Sequence, residues 1–157
     1  MVLNEQKSLV IMGKVDMSKN FPVENFVIVN DKPEVYWEDI GGLHDEVNKV
    51  KEVLEMPMNS PKLFEDMGIS PPKGVLLHGP PGTGKTMIAK ALAAATNSTF
   101  IELVGSELVQ KFIGEGAKLV KDLFEYARKK GPTIIFIDEL DAIASRRMES
   151  GTSGERE

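Results

Sequence analysis

Apolar positions along the chain fall into short runs punctuated by glycine and proline. Two early runs, Leu9-Val10-Ile11-Met12 before Gly13 and Phe26-Val27-Ile28-Val29 before Asn30-Asp31, predict strands. Two strands do not make a stable sheet by themselves, so residues 1–30 read as the end of a small β domain. A linker at 31–34 joins it to a larger unit over 35–157. In that unit Leu43, Val47, Val50 and Leu54 recur at helical spacing, with Asp45 and Glu46 in the first turn and Pro57 as the expected stop. Ser60-Pro61 predicts the cap and first position of a second short helix that Gly68 closes. Val75-Leu76-Leu77 predicts a strand, Met87 to Ala95 a helix, and Thr99 to Val104 a further strand. Ser106 is placed to cap a short helix reaching Gln110, and Lys111 to Gly116 breaks the pattern. A long helix follows. Leu119, Val120, Leu123, Phe124 and Ala127 share one face, Lys118, Lys121, Asp122, Glu125 and Lys129 the other, and Gly131-Pro132 ends it. Thr133 to Asp138 is a continuous apolar run ending in an acid, the pattern of a parallel strand buried on both faces. Strands alternating with helices predict an α/β fold with a parallel sheet flanked by helices.

Composition narrows the setting. The 157 residues amount to about one domain. With 41% hydrophobic and 27% charged residues the chain fits a water-soluble globular protein. A net charge of −5 gives no electrostatic reason to expect a nucleic acid. No cysteine is present, which excludes disulfides and thiolate metal sites. No apolar run is long enough to span a bilayer, and Met1 to Lys7 lacks the pattern of a secretory signal, so a cytoplasmic setting is expected.

Chemistry concentrates in Gly79-Pro80-Pro81-Gly82-Thr83-Gly84-Lys85-Thr86, which reads G-x-x-x-x-G-K-T. Preceded by a strand and followed by a helix, such a loop curls its N–H groups inward into an anion nest at the helix start. Lys85 can then reach the outer phosphates of a nucleotide, and the Thr86 hydroxyl can ligate Mg²⁺. The bland alternative is a glycine-rich turn with Lys85 in water. The second motif, Ile134-Ile135-Phe136-Ile137-Asp138-Glu139, ends an apolar strand in two acids. Ligands of open parallel sheets bind at the carboxyl ends of strands, which sets these acids beside the loop. Asp138 suits Mg²⁺ and Glu139 suits a general base acting on water. On its own the same pattern fits an acidic helix start.

Together the two motifs and the stretch between them resemble the AAA family of ATPases, over roughly Val35 to Glu157. Trp37-Glu38-Asp39-Ile40-Gly41-Gly42-Leu43 resembles the segment that lines the family's adenine pocket. The resemblance implies that Asp39, Ile40 and Gly41 contact the base, and that Gly79 through Met87 hold the phosphates. Gly105 to Gly116 is similar to the first pore loop of the family's proteasomal branch, in its archaeal form. Lys111, Phe112, Ile113 and Gly114 would then grip an unfolded polypeptide inside a homo- or hetero-hexamer, although a core aromatic is the ordinary fate of a phenylalanine.

The implied activity is ATP hydrolysis with Mg²⁺, driving an unfoldase that feeds a proteasome core particle, with neither nucleic acid nor membrane involved. Other AAA remodelling machines, and a regulatory module that binds nucleotide without hydrolysis, are the alternatives. The family's sensors, arginine fingers and helical lid are not found within these residues, so a C-terminally truncated chain is expected. By the same resemblance residues 1–30 would be the remnant of an oligonucleotide/oligosaccharide-binding-type domain. A strand beyond Glu157 would separate the loop strand from the acidic strand. Without it, a gap lined by unpaired backbone groups is expected, and with it poor folding, aggregation and negligible hydrolysis by the chain alone.

Overall fold

The computed structural model describes residues 6–13, 27–80, 82–111 and 116–143, with backbone alone for 6–13, 111, 116 and 117. Five strands form one sheet: β1 (Gln6–Gly13), β2 (Ile28–Asn30), β3 (Gly74–Gly79), β4 (Thr99–Val104) and β5 (Thr133–Asp138). Their order across the sheet is β2-β4-β5-β1-β3. β4 and β5 run parallel, whereas β2 is antiparallel to β4 and β1 is antiparallel to both β3 and β5. The sheet is therefore mixed, which corrects the expectation of a parallel one.

The expected gap between the loop strand and the acidic strand is closed. Leu9 stands opposite Leu76 of β3 on one side and Ile137 of β5 on the other. A strand with an unpaired row of N–H and C=O groups binds any compatible extended segment, and Leu9 to Met12 is of strand type. β2 joins the opposite edge through Ile28 opposite Glu102 and Asn30 opposite Phe100. Both strands of residues 1–30 thus share a sheet with the rest of the chain rather than standing in a separate β unit.

Helices cover the two faces. On one lie α1 (His44–Val50) and α4 (Lys85–Ala95); on the other lie α5 (Gly105–Lys111) and α6 (Gly116–Lys130). The period-two alternation of the central strands divides the core. Phe100, Ile134 and Phe136 pack with Val50, Leu54, Ile88 and Leu92. Ile101, Leu103, Ile135 and Ile137 pack with Leu108, Leu119, Leu123 and Ala127. The Phe100 and Phe136 rings stack with centroids 6.3 Å apart.

Three local expectations change. Pro57 does not end its helix. α1 continues through a wide π turn at Lys51–Glu55 into α2 (Met56–Asn59), with Pro57 buried inside it. The Met56 amide bonds Lys51 O, five residues back. That wider turn makes room for a ring that would clash with the carbonyl four residues back. Ser60 precedes α3 (Pro61–Asp66) but makes no side-chain cap. The end of α3 is as expected. Gly68 has φ +67°, and the Gly68 and Ile69 amides bond Glu65 O and Phe64 O at 3.0 and 2.9 Å. Finally, α5 starts at Gly105, which places Ser106 inside the helix rather than at its cap.

Candidate nucleotide site

The loop between β3 and α4 carries the glycine pattern for a backbone reason. Gly82 and Gly84 have φ of +80° and +86°, a region that side chains with a Cβ seldom enter. The turn is stitched internally, since the Thr83 hydroxyl donates to Pro80 O at 2.9 Å. Pro81 lies outside the described residues. At the start of α4 the Lys85 side chain is buried, and its Nζ donates to Gly79 O at 2.7 Å. The lysine is thus folded back along the loop. Thr86 is half-buried and Met87 is exposed, both in the first turn of α4.

The acidic motif lies at the same end of the sheet. Because β3 and β5 are both antiparallel to β1, they are parallel to each other. Leu76 and Ile137 share the level of Leu9, so His78 and Glu139 emerge at one level as well. One strand intervenes, which sets the two strand ends about 10 Å apart. The sequence-predicted neighbours are therefore brought to one edge, across β1. Asp138 accepts a hydrogen bond from the Glu139 amide at 2.9 Å. Glu139 has φ +51°, a left-handed conformation rare for a side-chain-bearing residue and a frequent mark of functional positions. Its carboxylate accepts a hydrogen bond from the Ser106 hydroxyl.

The Asp39-Ile40-Gly41 segment follows a single 3₁₀ turn, Trp37–Asp39. The Asp39 carboxylate accepts from the Tyr36 amide at 2.9 Å, so it closes this turn and leaves the backbone of Ile40 and Gly41 to any ligand. Trp37, Ile40 and Leu43 pack on the α4 face of the core. A Cβ on Gly84 would stand 3.7 Å from Leu43 Cδ1, so this segment abuts the phosphate loop. An open trench of about 390 Å³ reaches Gly79, Thr83 and Lys85 and runs back along β3 past Val50, Val75 and Leu77. It does not extend to Asp39, Ile40, Gly41 or Met87. The trench follows the uncovered side of an edge strand, and the phosphate loop at its mouth is the better guide to a ligand. Of the loop read as gripping polypeptide, Lys111 ends α5, while Phe112, Ile113 and Gly114 lie outside the described residues.

Oxygen donors at this edge suit a hard cation. The Thr86 hydroxyl and the Asp138 carboxylate are both half-buried, and among the described residues no three His, Cys, Asp or Glu side chains cluster as a cation cage. A small donor set fits Mg²⁺, which keeps several waters and takes phosphate oxygens as its other ligands.

Residues 75–157, which span both motifs, match the family model for the ATPase family associated with various cellular activities (AAA). The chain belongs to the AAA ATPase family. This AAA chain is 57% identical over 152 residues to a protein of Archaeoglobus fulgidus named proteasome-activating nucleotidase, covering 97% of this chain and 38% of the relative. Proteins of the same name from Sulfurisphaera tokodaii and Methanothermobacter thermautotrophicus are 56% and 55% identical, over 86% and 99% of this chain. Of those two relatives the chain spans 34% and 37% of the length.

Sequence reasoning missed two contacts of the site. One is Lys85 to Gly79 O, which no pattern announces. The other is Ser106 to Glu139. Its available signal was Gly105 directly after a strand, a common mark of close backbone approach. A Cβ there would stand 2.5 Å from Glu139 O.

Proposed function

We propose that this AAA chain supplies the nucleotide-binding core of an ATP-driven protein unfoldase of the cytoplasm. In this reading it works in a homo- or hetero-hexamer that delivers unfolded polypeptides to a proteasome core particle. The observation that carries the reading is the shared edge of the sheet, where the phosphate loop and the acidic pair emerge at one level across β1. Relatives named proteasome-activating nucleotidase support the cellular role.

The amides of Gly79 to Thr86 would surround the phosphates. Lys85 would exchange Gly79 O for phosphate oxygens, a stronger partner for an ammonium group. Thr86 and Asp138 would hold Mg²⁺, and bound Mg²⁺ supplies charge stabilisation at the transferring phosphoryl group. Glu139 would take the proton of the attacking water. The backbone of Asp39, Ile40 and Gly41, with Met87, would border the base. Lys111 to Gly114 would hold polypeptide.

Two substitutions test the assignment in the full-length Archaeoglobus fulgidus relative carrying residues 35–157 of this chain. Lys85→Ala is expected to lower ATP affinity by about tenfold or more, as loss of a charged hydrogen-bonding partner would. The exposed Lys62→Ala on α3 should leave affinity unchanged. Glu139→Gln should keep ATP bound and slow turnover by roughly 10²–10⁴, the range of general-base catalysis. Calorimetric titration and steady-state phosphate release measure both. Equal affinity losses for the two lysines, or full turnover in the Glu139→Gln protein, would defeat the reading.

A further inference from the structure

The Glu139 carboxylate is held on the side of its strand away from the phosphate loop. The sheet order sets β4 and β3 on opposite sides of β5. Val104 stands opposite Asp138 across the parallel pair, so Gly105 and Ser106 leave β4 beside Glu139. The Ser106 hydroxyl donates to the Glu139 carboxylate. The approach is close enough that a Cβ on Gly105 would meet Glu139 O at 2.5 Å and Asp138 O at 3.2 Å. Glu139 itself sits at φ +51°, and the Ala142 amide fixes its carbonyl at 3.0 Å. Backbone and side chain of this residue are therefore both engaged, and the side-chain partner belongs to α5. That helix runs without interruption to Lys111, the start of the segment read as gripping polypeptide.

We propose that Ser106 is a positioning residue that withdraws the Glu139 carboxylate from the phosphate loop, so that a shift of α5 frees it for hydrolysis. A carboxylate satisfied by a hydroxyl donor has less reason to turn toward water at the phosphate, and turning costs it that hydrogen bond. Displacement of α5 along the sheet edge breaks the bond without disturbing Lys85 or the loop, because α5 and α4 lie on opposite faces. Movement of the segment beyond Lys111 thus reaches the base through one hydroxyl. The proposal rests on Glu139 acting as the base.

Steady-state kinetics of Ser106→Ala in the full-length relative carrying residues 35–157 tests this. The expected result is a kcat raised by up to about tenfold, the scale of one hydrogen bond to a charged group. KM for ATP should stay within about twofold, since no group that binds the nucleotide is touched. Ser106→Thr, which keeps the hydroxyl, should return kcat to the parent value. Ser106→Ala combined with Glu139→Gln should be as slow as Glu139→Gln alone, because the gain runs through the carboxylate. An unchanged or lowered kcat in an assembled Ser106→Ala protein overturns the proposal. Should that variant fail to assemble, Ser106→Cys replaces it. Its weak S–H donor should give an intermediate rise, and a parental kcat again overturns the proposal. If Glu139→Gln alone retains full turnover, the fault lies with the base assignment. If it is inactive and Ser106→Ala is silent, the fault lies with the withdrawal alone.

Discussion

β5 and β3 carry the two halves of the candidate site, yet they are held in opposite ways. β5 is central, and five of its six residues, Thr133 to Ile137, are buried on both faces. β3 is an edge strand whose residues alternate between exposed and half-buried. Helices α4 and α6 close over β5 from two sides, whereas β3 has α4 and the α1 region on one face and open surface at Leu76 and His78 on the other. The acidic half is thus fixed by tertiary packing. The phosphate loop relies more on itself, through positive-φ glycines, the Thr83–Pro80 bond and the Lys85–Gly79 bond. A binding loop that must open for a nucleotide belongs on the less constrained strand, since the low-stability parts of a fold are the ones that move.

The sharpest way to break this contrast is to cut a large side chain from each strand in turn. Phe136 is fully buried and stacked on Phe100, so Phe136→Ala should destabilise by about 3–5 kcal/mol. Urea unfolding of the 157-residue chain followed by circular dichroism measures this. A midpoint equal to that of the parent would mean that β5 is not the core strand described.

The reach of the sequence follows the same division. β5 was legible because a continuous apolar run bounded by turn signals has few alternatives in an α/β chain. α6 was legible from the spacing of Leu119, Leu123 and Ala127, all buried as expected. The phosphate loop announces itself because its glycines answer a backbone requirement that few other turns share. The place of β1 was not legible. Leu9 to Met12 declares a strand, but pairing partners are a long-range property, and only the ladder between Leu76 and Ile137 assigns them. Pro57 misled because a local rule, proline as a stop, gave way to a π turn that tertiary burial of Leu54 and Pro57 favours. Ser106 was read by its cap propensity, while its hydroxyl serves a residue 33 positions away.

The next largest effect concerns β1, the element that joins the two halves. Val10 stands between Val75 and Phe136, so its amide faces a paired neighbour on whichever side it points. Val10→Pro removes that donor and leaves a carbonyl unpaired, at a cost of about 2–3 kcal/mol. Amide hydrogen exchange adds a direct check: Leu9 to Met12 should be protected in the parent and should lose protection in the variant. Free exchange at these amides in the parent would remove β1 from between β3 and β5.

Gly105→Ala comes third. Its new methyl would press on Glu139 O, backbone that has no flexible end to yield. The expected loss is on the order of 1–2 kcal/mol, within the range of overpacking, with the acidic half disturbed and the phosphate loop spared. In the 157-residue chain, binding of a fluorescent ADP should stay near the parent value while the urea midpoint falls. A parental midpoint would show that β4 and β5 are less closely apposed at this edge.

The smallest effect belongs to the open side of β3. Leu76 is 51% exposed, and a side chain half in water loses little when it is replaced. Leu76→Lys should therefore change stability by no more than about 0.5 kcal/mol, against the several expected at Phe136. Solubility should respond more than stability. β3 presents one unpaired row of backbone groups, and edge strands invite pairing between chains, which a lysine on the strand opposes by charge and by its hydrated head. Light scattering during incubation at raised concentration should show slower growth of aggregates for Leu76→Lys than for the parent, at an unchanged urea midpoint. A midpoint shifted as far as that of Phe136→Ala would mean that Leu76 is core, and the contrast between the two strands would fall with it.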